Sequence, residues 1–441
     1  MADERRGLFS LMAPLFWLLQ MCTVSYGGLQ LRMVNVVYRH GDRSPASSFP
    51  TDPHKNFWPQ GLGQLTQTGM MQEYKLGQFL KDRYVDKLIN SSYKFSEVYV
   101  RSSDRDRCIM SAQTQLNGLY PPHGQQVWRQ KLDWQPVGVH VVPANEDYLL
   151  RPYDYNCPRL KEALKKSKEK PEYLKAVRKY KKALSYISSK AGGQYTLDNV
   201  YQVRDALFCE KSHNLTLPDW ALNVTIWDDL TNMDKFGFKW LFNGHEKAKL
   251  TGGSLLGEFI KNMKANLDPS SKKLYIYSAH DTTVAALLSA LKLYNGVLPA
   301  YSSAVIVELY SDRDDHKKNF SVRILYRFGQ SKEPKVLNFS TCKEFCPLID
   351  FIRTTADVVP DNIEKACGVE EKCVKTIVYK SFLAGFVTVS VFLFLLVLFL
   401  CVNFCRRRCC PPQQNLTFYN DLLKDARLLD KPDYDSDADA L

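Results

Sequence analysis

The feature that most constrains this chain is an uncharged apolar run from Phe382 to Cys405, followed at once by Arg406, Arg407 and Arg408. The run is built largely from Phe, Leu and Val, and it has the roughly 20 residues a helix needs to cross the hydrocarbon of a bilayer. A buried soluble helix is the competing reading, but protein can rarely cover a helix that is apolar on every side. By the positive-inside rule the arginines place the C-terminus in the cytosol. A second apolar stretch, Leu8 to Val24, follows Arg5 and Arg6 and precedes Ser25, Gly27 and Gly28. That is the order of a secretory signal peptide. An uncleaved anchor is the alternative, against which Pro14, Gln20 and the short apolar length argue. The expected division is a signal peptide over 1–28, a lumenal or extracellular body over 29–380, a transmembrane helix over 382–405 and a cytosolic tail over 406–441. A single-pass type I membrane protein follows from it.

The body carries the marks of export. Asn90, Asn214, Asn223, Asn319 and Asn338 each begin an N-x-S/T glycosylation sequon, whereas Asn415 lies on the cytosolic side and is expected to stay bare. Seven cysteines fall in the body: Cys108, Cys157, Cys209, Cys342, Cys346, Cys367 and Cys373. An oxidising compartment favours disulfides, and an odd count leaves at least one thiol free or paired between chains. Cys409 and Cys410 sit just inside the membrane, where palmitoylation is a positional expectation. The formal charge of +12 comes largely from a Lys-rich stretch between Lys161 and Lys182 and from the arginines after the apolar run. A solvated helix face explains that stretch, and a glycosylated exported body with no nucleic-acid motif is not expected to bind nucleic acid.

Along the body, short β-branched and apolar runs read as buried strands. They are Leu31 to Tyr38, Glu97 to Val100, Lys273 to Ser278, Ala304 to Tyr310 and Ser321 to Tyr326. Leu65 to Arg83 and Thr282 to Leu293 have helical character, and Ser103 or Asp104 is placed to cap a helix after the second strand. From about 121 to 253 the chain turns Lys-, Glu- and Leu-rich with scattered tryptophans, which reads as a mainly helical insertion. Strands alternating with helices indicate an α/β sheet with at least some parallel strands. In such sheets reactive groups collect beyond the carboxyl ends of strands.

Three polar strings occupy such ends. Arg39-His40-Gly41-Asp42-Arg43-Ser44-Pro45 closes the first strand, Arg101-Ser102-Ser103-Asp104 the second, and His280-Asp281 the third. A phosphate monoester carries about one and a half to two negative charges near neutral pH. Planar guanidiniums hold its oxygens in bidentate fashion better than ammonium groups do. Arg39 and Arg43 therefore make a cationic cradle around the imidazole of His40, and Gly41 lets the backbone approach a ligand closely. The bland reading is a strand end with solvated arginines and a chance histidine. His280 likewise reads as a core histidine with Asp281 capping the next helix, were it alone. No H-E-x-x-H or C-x-x-C arrangement accompanies the eight histidines, so no metal is expected, and the absence of a Walker A string disfavours ATP-dependent transfer.

The R-H-G-x-R-x-P string resembles the signature of the histidine acid phosphatases. The resemblance extends to Gly61-Leu62-Gly63-Gln64-Leu65-Thr66, Val100 to Asp104, His213 to Pro218 and His280-Asp281, from about Leu29 to Cys367. It implies a phosphoglycerate-mutase-like three-layer sandwich and hydrolysis of phosphate monoesters without a cofactor. In that reading His40 is the nucleophile that forms a phosphohistidine. Arg39, Arg43, Arg101 and His280 bind the phosphoryl group, and Asp281 is the proton donor, which implies an optimum below about pH 6. A homodimer is also implied. A silent ligand-binding protein of the same fold is the alternative.

The resemblance further implies bridges Cys157–Cys367 and Cys342–Cys346. The family pairs a cysteine like Cys209 with one on a later strand, where this sequence shows Ala304. Cys209 is then either free or joined to Cys108 or Cys373. In the acidic tail, Tyr419 to Leu422 matches a Y-x-x-apolar endocytic signal and Asp425 to Leu429 an acidic dileucine. Sorting adaptors are the expected partners, and lysosome, endosome or plasma membrane the expected address.

Overall fold

The computed structural model describes residues 28–266, 268, 270–312, 319–339 and 342–409. The signal segment, Asn415 and both tail signals lie outside the described residues. The chain folds as two compact units, residues 1–370 and 371–441.

In the first unit the elements run β1 Leu29–Arg39, α1 Gln67–Tyr84, β2 Val98–Ser103, α2 Asp106–Leu119, β3 His140–Val142, α3 Pro158–Ser167, α4 Pro171–Ala191 and α5 Tyr201–Ser212. They continue with α6 Asp219–Leu222, α7 Val224–Phe242, α8 His245–Thr251, α9 Gly253–Ala265, β4 Leu274–Ala279 and α10 Asp281–Ala290. β5 Ala304–Asp312, β6 Phe320–Arg327, β7 Lys335–Leu337, β8 Cys346–Pro347, α11 Leu348–Thr355 and α12 Ile363–Cys367 complete it. The five expected strands are present. The stretch from 121 to 253 is not all helical, because His140–Val142 joins the main sheet as an edge strand. The cap expected at Ser103 or Asp104 is absent: α2 starts at Asp106, and Arg105 holds the N-cap position without a side-chain hydrogen bond.

The strand order is β3-β2-β4-β1-β5-β6-β7, with β8 paired to β6. β3, β2, β4 and β1 are mutually parallel, whereas β5, β6 and β7 continue antiparallel. β1 is central, so both of its faces are covered, which is why its sequence is a nearly unbroken apolar run. Met33 and Val37 point to one face, packed with Leu255, Phe259, Leu287 and Phe351 from α9, α10 and α11. Val34, Val36 and Tyr38 point to the other, packed with Leu76, Leu80, Ala112 and Leu116 from α1 and α2. The result is a helix–sheet–helix sandwich. The helices of the insertion have their own core around Tyr173, Ile187, Val203, Leu207, Leu230 and Met233. α7 is capped by Asn223, whose side-chain oxygen accepts from the Ile226 amide.

Cys157–Cys367 and Cys342–Cys346 are bonded. Cys108 and Cys209 are free and buried, and Ala304 lies inside β5. All five body sequons have exposed asparagines. Helix α13, Val369–Cys409, contains the apolar run, and its segment Tyr379–Arg406, with a mean hydropathy of 2.9, is long and apolar enough to cross a membrane.

Candidate active site

The register of two parallel strands builds the centre of the site. Arg39 of β1 pairs with Ala279 of β4, so the next residue on each strand, His40 and His280, emerge side by side. The His40 amide donates to the Ala279 carbonyl at 3.0 Å, and the two imidazoles meet edge to face with centroids 5.5 Å apart. Both are almost fully buried. His40 Nδ1 lies 2.8 Å from the Gly41 carbonyl, which can only accept, so Nδ1 carries the proton. Nε2 is left as a free lone pair. Burial, then Arg107 and Arg39, with His280 and Arg43 adding, push the His40 imidazole well below its ordinary value. It therefore stays neutral in mild acid, where a solvated histidine would be charged.

The two flanking arginines are locked differently. Arg39 reaches the Pro299 carbonyl at 2.6 Å and Asp281 Oδ2 at 3.0 Å, and its guanidinium lies 4.1 Å from the ring centre of Tyr301. Arg43 makes a bidentate pair with Asp205 of α5, both bonds 2.9 Å. Against the upward push of burial, Arg43 holds the Asp205 carboxyl below its usual range. The loop between the arginines is fixed from below. A Cβ on Gly41 would meet the Gly69 carbonyl of α1 at 2.3 Å, so this glycine is required by helix packing rather than by ligand approach. Asp42 accepts from Thr66 Oγ1 at 2.6 Å and lies 2.7 Å from His213 Nε2, which ties the loop to the end of α5.

Arg101 does not join this group. It pairs with Tyr277 in the sheet, two residues short of the strand end, and its guanidinium forms an ion pair with the buried Asp147. The third guanidinium near the histidines is Arg107, in the first turn of α2, whose charge is the foremost electrostatic influence on both His40 and His280. The string from Arg101 to Arg107 holds three arginines, and only the start of α2 shows which of them returns to the sheet end. A fourth, Arg151, approaches His280 Nε2 at 3.1 Å and is held by Asp154. An arginine only donates, so Nε2 of His280 accepts from it, and the His280 side chain also accepts from the Thr283 amide in the first turn of α10. Ser103 Oγ, 2.8 Å from the same nitrogen, comes from the end of β2. Asp281, the first residue of α10, has Oδ1 bonded to the Thr282 amide at 2.7 Å and keeps about a fifth of its side chain exposed. Burial pushes the nearby Cys108 thiol up to about 11, so it is no thiolate nucleophile.

Arg39, Arg43, Arg151 and Asp281 line a cavity of about 700 Å³, together with helices of the insertion and the loop from Leu298 to Tyr301. Among the described residues no group of three or more His, Cys, Asp or Glu side chains is placed to hold a metal ion. A neutral imidazole with a bare nitrogen, ringed by guanidiniums and bordered by a carboxyl group, is equipped to bind and attack a phosphoryl group.

The fold and this site define a histidine phosphatase. The profile of the histidine phosphatase superfamily (branch 2) matches residues 30–327, and the chain belongs to that family. It is 40% identical to lysosomal acid phosphatase of Rattus norvegicus over 421 residues, covering 93% of this chain and 97% of that one. It is 42% identical to prostatic acid phosphatase of Homo sapiens over 345 residues, covering 77% and 88%. Among solved structures, Hafnia alvei phytase in complex with tartrate shares the fold with a TM-score of 0.57 at 19% identity, over 77% of this chain and 98% of that one.

Proposed function

We propose that this chain is an acid phosphatase that hydrolyses phosphate monoesters through a phosphohistidine on His40. The observation that carries the reading is the state of His40: Nδ1 is engaged by the Gly41 carbonyl, Nε2 is free, and the ring is kept neutral among guanidiniums. Arg39, Arg43 and Arg107 neutralise the phosphoryl oxygens, with the His280 imidazole beside them. Nε2 of His40 attacks phosphorus, and the bond to the ester oxygen breaks with its electrons going to the leaving alkoxide. Asp281 delivers a proton to that oxygen. Water then attacks the phosphohistidine, Asp281 takes a proton from it, and inorganic phosphate leaves with His40 restored.

The chemistry needs a protonated carboxyl and an unprotonated imidazole together. A carboxyl is protonated only in acid, where an ordinary histidine of pKa about 6.5 is charged. The downward push on His40 removes that conflict and supports an optimum below about pH 6. The apolar helix and the arginines after it support a type I anchor with His40 on the lumenal or extracellular side. The tail signals support sorting adaptors and traffic between the surface and lysosomes. The exposed edge strand β3 offers unpaired backbone for a homodimer.

The test is hydrolysis of an aryl phosphate by the detergent-solubilised full chain from about pH 3 to about pH 8, with His40→Ala as control. Acid-side turnover that His40→Ala abolishes, and labelled phosphate trapped on the chain by Asp281→Ala, are the expected results. A folded chain inactive at every pH overturns the reading.

A further inference from the structure

The cavity beside Asp281 leaves two opposite charges unpaired. Arg39–Asp281, Arg43–Asp205, Arg151–Asp154 and Lys168–Asp198 close ion pairs on its walls. Arg204 of α5 and Asp234 of α7 are the remaining charged side chains of that lining, and neither has a hydrogen bond or ion pair. Yet each acts electrostatically on the other, so they are neighbours held apart. Arg204 is fixed by stacking, its guanidinium 4.7 Å from the ring centre of Phe208 and 4.9 Å from that of Trp227. Both side chains are partly buried, with Arg204 Nε buried and unpartnered, and two such opposite charges facing one cavity suit a ligand that carries both signs.

We propose that Asp234 and Arg204 form a leaving-group subsite for an amino-acid zwitterion, so that the preferred esters are O-phosphorylated amino acids. Asp234 receives the ammonium and Arg204 the carboxylate, while the phosphate lies in the adjoining cradle of Arg39 and Arg43, which line the same cavity. Position supports this: Asp234 feels the charges of Arg204, Asp205, Asp281 and Arg39, so it borders the reacting centre. Tyr173, Phe238 and Trp240 supply an aromatic wall along which an alkyl or aryl spacer can lie and against which an ammonium is attracted. Burial pushes the Asp234 carboxyl up to about 6, with Arg204 opposing and Asp205 and Asp281 adding. The free carboxylate that attracts an ammonium is therefore present above that pH and lost below it.

The inference rests on the phosphatase reading, and the substrates of the test separate the two. The full chain in detergent is given O-phosphoserine, its N-acetyl derivative, its carboxamide and glycerol 2-phosphate, and kcat/KM is measured for each. The expected result is a preference for O-phosphoserine over each singly blocked ester of about tenfold, the size of one charge-assisted hydrogen bond. Asp234→Asn removes the difference between O-phosphoserine and its N-acetyl derivative, and Arg204→Gln the difference from the carboxamide. The amine preference grows between pH 5 and pH 7.5. Equal kcat/KM for all four esters in the unaltered chain overturns the subsite, as do variants that lower all four alike. Failure to hydrolyse glycerol 2-phosphate as well overturns the phosphatase reading itself.

Discussion

Arg101 and Arg107 differ by six positions and by what they touch. Arg107→Gln is expected to lower kcat/KM for an aryl phosphate by about a hundredfold or more, the usual loss when one donor to a reacting oxyanion is removed. Arg101→Gln strips the buried Asp147 of its partner, so it lowers the melting temperature while leaving KM within a few-fold. Steady-state kinetics and thermal melts on both variants check the pair. Asp281→Asn is expected to cut kcat for an alkyl phosphate by about a hundredfold to ten-thousandfold. It should cost much less for p-nitrophenyl phosphate, whose leaving group needs no proton, and equal losses would mean Asp281 only positions Arg39. At this scale the sequence placed His40, Arg39, Arg43, His280 and Asp281 at the ends of strands that prove to be neighbours. From the second string it named Arg101, whereas the structure brings Arg107 to the histidines, because only the start of α2 decides which arginine returns to the sheet end.

At the scale of elements, the helical insertion completes the phosphate cradle. Asp205 sits on α5, far along the chain from Arg43, and orients both nitrogens of that guanidinium. Asp205→Ala leaves Arg43 buried without its partner. It is expected to destabilise the fold by about 3–5 kcal/mol and to weaken inhibition by inorganic phosphate, measured by denaturant unfolding and by the inhibition constant. Unfolding without a change in phosphate affinity would mean that Arg43 finds the ligand unaided. The strands were legible because each is a short, doubly buried run. The contribution of α5 and α7 was not, because pairing across more than a hundred residues leaves no local pattern. β3 escaped notice for a related reason: three residues at a sheet edge, two of them exposed, carry no alternation to read.

At the scale of the molecule, one buried carboxyl ties stability to acidity, while the buried neutral His40 and His280 act in the opposite sense. Glu210 on α5 is fully buried facing Asp52, and burial, with Asp52 beside it, pushes its carboxyl from 4.5 up to about 8. Between those values the folded chain holds a proton the unfolded chain has released, so stability falls as pH rises. The slope is at most about 1.4 kcal/mol per pH unit from this group. The melting temperature of Glu210→Gln should rise relative to that of the parent as pH goes from 5 to 7.5, because the variant lacks this one loss. The apolar run near the C-terminus was readable as a helix long enough to cross a membrane, because that property depends on composition more than on tertiary contacts. Asn223 couples the surface to the interior in another way. A glycan added at this sequon would join the side-chain nitrogen and leave the oxygen that caps α7 available, so carbohydrate and helix cap could share one residue. Replacing Asn223 by Gln to abolish a sugar would also uncap the helix, at about 1 kcal/mol. Thr225→Ala would remove the sugar alone, and comparing the melts of these two variants separates the worth of the carbohydrate from the worth of the cap.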